Sequence, residues 1–112
     1  MGVFDIDDKI TPQWLRDNNW IKTPNLTSSR NPWWNKHFNG MSSNGGTFDI
    51  TFAYNDEDGT VLYMRGYPYP SITTVSICDV ELFIKNQLEG HRKIQHLGRT
   101  YFMELGKTYF FE

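Results

Sequence analysis

Between Thr47 and Tyr54 the chain alternates: Phe48, Ile50, Phe52 and Tyr54 fall on one side, Asp49 and Thr51 on the other. A period of two in aromatic and β-branched residues predicts a strand buried on one face. Asp56-Glu57-Asp58-Gly59 then reads as a hairpin loop in which Gly59 supplies a positive φ, and Thr60 to Arg65 returns as the partner strand. Gly66-Tyr67-Pro68-Tyr69-Pro70 ends that pairing, because proline has no N–H to give a ladder. The β-branched run from Ile72 to Ile77 predicts a third strand. Upstream, residues 22–46 carry turn chemistry at Pro24, Pro32, Asn39-Gly40 and Asn44-Gly45-Gly46, interrupted by a short strand over Trp33–Phe38.

Helical signals flank this meander. Thr11-Pro12 sets an N-cap and a first-turn proline, and Trp14, Leu15 and the Asn18-Asn19 stop define a helix of about two turns. Residues 79–90 read either way, since Val80, Leu82 and Ile84 alternate while Val80, Phe83, Ile84 and Leu88 share a helical face. The stretch Lys85–Glu89 is poor in β-branched residues and favours a helix, capped by Asp79 and ended by Gly90. The C-terminus holds a near-repeat, Arg99-Thr-Tyr-Phe-Met-Glu104 and Lys107-Thr-Tyr-Phe-Phe-Glu112. As a hairpin about Leu105-Gly106 it would pair Glu104 with Lys107 and Arg99 with Glu112. Against that, Ile94, Leu97, Tyr101 and Leu105 line one helical face with Gly106 at the C′ position. The sequence reading is therefore a helix over 92–105, a short final strand over Lys107–Glu112, and a coincidental repeat.

These elements predict one α+β domain over residues 1–112: a small antiparallel sheet of three to five strands, packed against a short N-terminal helix and one or two C-terminal helices. Composition sharpens the picture. Phe, Trp and Tyr number 18 against 19 for Ile, Leu and Val, and there is one Ala. That excludes a coiled coil or a collagen-like chain. Phe48, Phe52, Tyr54, Phe83 and Tyr101 lie at core period, whereas Trp33, Trp34, Tyr67 and Tyr69 lie in turn-rich segments. No apolar run is long enough for a membrane span. The start, MGVFDIDDKI, has no basic and apolar leader, so the expected compartment is the cytoplasm.

A net charge of −2 excludes bulk nucleic-acid binding. Only the end from residue 85 is basic, through His91, Arg92, Lys93, His96 and Arg99. On the predicted helix Arg92, His96 and Arg99 share a face that fits a phosphate. Enzymatic signatures are weak: the chain lacks GxSxG, GxxxxGK[ST] and HExxH patterns. Cys78 with His91 or His96 could form a thiolate–imidazole pair, yet a lone Cys after a strand reads first as a small core residue. His91 and His96 are spaced for surface positions rather than metal, and Asp56–Gly59 reads as a solvated hairpin tip rather than a calcium loop. No metal or cofactor is expected. Arg30, Trp33, Trp34, Tyr67 and Tyr69 form the candidate partner-binding set, since aromatics and Arg dominate protein interfaces.

Two blocks resemble a family of small phage and prophage proteins of Bacteroidota. Thr11, Pro12, Trp14 and Leu15 match its Thr-Pro-x-Trp-Leu helix, and Ile94, Leu97, Tyr101, Phe102, Gly106 and Lys107 match its Leu-x-x-x-Tyr-Phe-x-x-x-Gly-Lys helix, with a β-meander between. The resemblance implies a viral accessory protein acting on its host. The sequence thus leads to a non-catalytic, inhibitory or counter-defence binding protein whose partner is a host protein. The alternative is a binder that sequesters a nucleotide-like small molecule, stacking it on Trp and gripping phosphate with Arg92, His96 or Arg99. The oligomeric state is open, a homodimer included.

Overall fold

A computed structural model describes residues 8–23, 31–104 and 107–112. The chain runs α1 (Pro12–Asp17), β1 (Ile21–Lys22), β2 (Trp33–Ser42), β3 (Thr47–Asn55), β4 (Thr60–Tyr63), β5 (Ser71–Thr73), α2 (Ile77–Ile94), β6 (Thr100–Glu104) and β7 (Lys107–Phe111). All pairings are antiparallel in the order β5-β4-β3-β2-β6-β7, with β1 paired to the early part of β2. The α+β class stands, but the described residues form a seven-stranded sheet rather than one of three to five strands.

Local chemistry sets the predicted elements. The Thr11 hydroxyl accepts from the Trp14 N–H at 3.1 Å and opens α1. Gly59 takes φ 79° in the β3–β4 hairpin, where Asn55 Oδ1 accepts from the Glu57 and Asp58 N–H groups at 2.8 and 3.2 Å. The hairpin forms as expected, but the tip is not solvated throughout: Asp56 is largely buried and accepts from Lys22 and Trp34. Residues 79–90 are helical, and the face Val80, Ile84, Leu88, His91 carries the helix through Gly90 to Ile94.

The third predicted strand is cut short. Only Ser71–Thr73 pair with β4, and Ile77 starts α2, because the chain over 75–77 bonds instead to the incoming segment at Asp8 and Ile10. The largest departure is at 92–105. His96 and Gly98 adopt φ 53° and 67°, left-handed values that end α2, and Ile94 is 74% exposed rather than buried. The near-repeat forms the hairpin β6–β7, with Glu104 opposite Lys107 and Thr100 opposite Phe111. Gly40, read as part of a turn, lies inside β2. The Phe48 ring opposite it covers the glycine so closely that a Cβ there would overlap the ring.

Both helices lie on one face of the sheet. Strands supply most of the aromatic part of the core (Phe38, Phe52, Tyr54, Tyr63, Phe102, Phe111), while Val80, Ile84 and Leu88 of α2 join Leu15, Ile50 and Val61 in the aliphatic part. Phe rings meet edge-on in this core, as Phe38 and Phe52 do at 5.9 Å. Among the described residues no second layer packs on the other face, and its side chains at His37, Asn39, Met41, Asp49, Tyr101 and Phe110 are exposed.

Candidate functional site

The aromatic set proposed from sequence is not assembled into one patch. Arg30 lies outside the described residues. Trp33 and Trp34 point to opposite faces of β2, as their spacing required; Trp33 is half-buried and Trp34 only 5% exposed. The Trp34 indole N–H donates to Asp56 Oδ2 at 2.9 Å, and Lys22 Nζ sits 5.1 Å above its ring. Tyr67 and Tyr69 are 92% and 41% exposed, their rings edge-on at 6.0 Å. The cross-strand row Trp34–Tyr54–Val61 passes through the start of β4, and β4 leads away from it before the tyrosine loop begins.

The phosphate-gripping face of Arg92, His96 and Arg99 does not form, because α2 ends before His96. Arg92 instead donates to the Gly98 carbonyl at 3.3 Å and lies 6.0 Å from the Phe111 ring, closing the turn into β6. His96 and Arg99 are exposed. Cys78, expected in the core, is an exposed free thiol in the first turn of α2. His91 follows thirteen residues along the same helix, roughly 20 Å away at the helical rise, so no thiolate–imidazole pair exists there. Among the described residues no group of three His, Cys, Asp or Glu could hold a metal ion.

His91, read from sequence as a surface residue, is 7% exposed. Its ring lies 4.9 Å from Phe48 and 6.2 Å from Phe102. Burial, seconded by the positive charge of Arg65, holds its pKa below the ordinary histidine value. The unfolded chain therefore takes up this proton at higher pH than the fold does. Stability is full above the ordinary value and falls as pH drops through it toward the folded pKa. Urea midpoints measured at about pH 7.5 and about pH 5.5 should fall for the wild type and fall less for His91→Gln. Equal falls in both would show that His91 does not carry this dependence.

The surface that sequence reading missed is on the sheet face opposite the helices. Met41 on β2 pairs with Tyr101 on β6, which pairs with Phe110 on β7, giving one apolar row across three strands. These side chains are 51%, 46% and 43% exposed, and the Tyr101 and Phe110 rings stack at 4.7 Å and 30°. Tyr101 was assigned to the core by its helical period; the strand turns it outward and puts Phe102 inside. The usable signal was the near-repeat itself, whose hairpin register places Tyr101 opposite Phe110.

No described helix is long and apolar enough to cross a membrane. No family model, curated protein or solved structure matches the chain.

Proposed function

We propose that the chain is a non-catalytic binding protein that acts by occupying the surface of another protein. The row Met41–Tyr101–Phe110 carries this reading. Three large apolar side chains stand side by side on paired strands and are about half exposed among the described residues. Aromatic residues and Met are the types enriched at protein interfaces, and a preformed ring stack loses little conformational freedom on docking. The contact surface moves accordingly from the Trp33, Trp34, Tyr67 and Tyr69 set to this row.

The partner class follows from the resemblance of the two sequence blocks to phage accessory proteins: a host protein, inhibited by occlusion in the host cytoplasm. The first block lies on α1, while the second, expected as one helix, has Ile94 at the end of α2, Tyr101 and Phe102 on β6 and Lys107 on β7. Trp34→Ala is not a clean test, since that indole is buried and bonded to Asp56. Tyr101→Ser with Phe110→Ser is. Wild-type protein should retain a defined partner from a Bacteroidota host lysate, and the double variant should lose it while keeping its melting temperature within a few degrees. Capture of the same proteins by both, or of none by the wild type, overturns the proposal.

A further inference from the structure

We propose that two copies of the chain pair through the open edge of β7, antiparallel and centred on Phe110. The dimer stands on the backbone of that edge and not on the host-partner reading above.

The ladder fixes which way the β7 backbone points. In an antiparallel pair the N–H and C=O of one residue point to the same side, and the side alternates along the strand. The Ser42 N–H donates to the Gly46 carbonyl at 3.0 Å, so even-numbered residues of β2 bond toward β3. The Ser43 N–H donates to the Arg99 carbonyl at 2.8 Å, so odd-numbered ones bond toward β6. Met41 lies opposite Tyr101 and Asn39 opposite Met103; Tyr101 and Met103 therefore bond back to β2. Thr100, Phe102 and Glu104 then bond forward to their partners on β7, which are Phe111, Tyr109 and Lys107. Thr108, Phe110 and Glu112 are left with N–H and C=O aimed away from the sheet. Among the described residues β7 ends the strand order, and no backbone hydrogen bond reaches that side of it.

Such an edge invites another strand unless charge, proline or shortness blunts it. The opposite edge is blunted, since β5 has three residues and follows Pro70. β7 has neither charge nor proline over Thr108–Phe111. Its sequence also suits a copy of itself. A two-fold axis normal to the sheet and centred on Phe110 sets that ring against Phe110 of the second copy. Tyr109 then faces Phe111, and Thr108 faces Glu112. Each outward-pointing residue sits in a hydrogen-bonded pair, an alcohol faces a carboxylate, and no like charges meet. Centred on Tyr109, Glu112 has no strand residue opposite it; centred on Phe111, the Phe110 ring meets a carboxylate. The same axis keeps both outer faces on one side, so the two Met41–Tyr101–Phe110 rows join at Phe110. At the usual strand spacing the row lengthens from about 10 Å to about 24 Å.

So short a pairing buries little area, and association is expected at about 1–100 µM. Sedimentation velocity of the purified chain across that range should show the mass rising from 13.2 kDa toward twice that value. The Thr108 and Phe110 amides should exchange more slowly at high than at low concentration, while the Tyr109 amide, bonded to β6, stays protected throughout. Thr108→Pro removes an N–H that β6 does not use, at an edge position where proline is tolerated. It should raise the dimer Kd at least about tenfold and keep the melting temperature within a few degrees. Should Thr108→Pro melt early, Phe110→Lys, at an exposed position, sets two ammonium groups face to face and should have the same effect on the dimer. A mass that stays at 13.2 kDa, a dimer that survives either folded variant, or Phe110 exchange independent of concentration overturns the proposal. These readouts need only the purified chain, so a missing host partner leaves them as they are. A monomer, in turn, leaves the Met41–Tyr101–Phe110 row standing as a partner surface.

Discussion

Lys36→Met alone will cost the fold about 3–5 kcal/mol, and Lys36→Met with Glu104→Leu will recover most of it. Lys36 points inward from β2 and is 4% exposed, between Trp20 at 5.8 Å and Phe38 at 5.6 Å from its ammonium. There it meets Glu104 of β6, whose side chain is 4% exposed, and donates to the Asn18 carbonyl. Removing the ammonium strands a carboxylate among aromatic rings, while replacing both partners by apolar groups removes the desolvation cost together with the attraction. A double-mutant cycle in urea reads the coupling directly. A Lys36→Met cost below about 1 kcal/mol would mean that water screens the pair and that the site is not dry.

The pair also bears on the proposed binding surface. Lys36 and Glu104 share the inner face, and Met41 and Tyr101 the outer face, of the same two paired strands. A slip of β6 by one residue would turn Glu104 outward and Tyr101 inward, leaving Lys36 without its carboxylate. The buried charges therefore penalise any register that hides Tyr101. In this sense the binding row is set from beneath by an ion pair on the opposite side of the sheet.

Much of the meander was legible because its signals are local. The Thr11 cap, the alternation over Thr47–Tyr54, the Gly59 turn and the Val80–Leu88 face each need only neighbours in sequence. Residues 92–105 were not legible for the opposite reason. Their apolar positions fit a helix about as well as a strand, and what decides is pairing with β2, more than fifty residues upstream, together with left-handed turns at His96 and Gly98. Asn39-Gly40 misled in the same way, since a glycine that seats a ring in a sheet looks like a turn glycine until Phe48 is placed on it. Trp34 looked available for binding because nothing near it in sequence foretells Lys22 and Asp56 closing over the indole.

The clearest test of the C-terminal hairpin sets two adjacent residues against each other. Phe102→Ala will cost about 3–5 kcal/mol, whereas Tyr101→Ala will cost about 0.5–1 kcal/mol. Phe102 is fully buried, with Phe48, Phe111 and His91 rings at 5.3, 5.7 and 6.2 Å, and truncation leaves a hole that the surrounding strands and α2 cannot close without moving. Tyr101 loses mainly its stack on Phe110, half in water. A helix over 92–105 would reverse the order, since Tyr101 would then line the core face. The same variants separate packing from binding: Phe102→Ala should also shrink the acid sensitivity of His91 by admitting water to its ring, while Tyr101→Ala should leave that sensitivity whole and weaken partner capture. A Tyr101→Ala cost equal to that of Phe102→Ala would place β6 out of register by one residue and remove the surface on which the proposed binding rests.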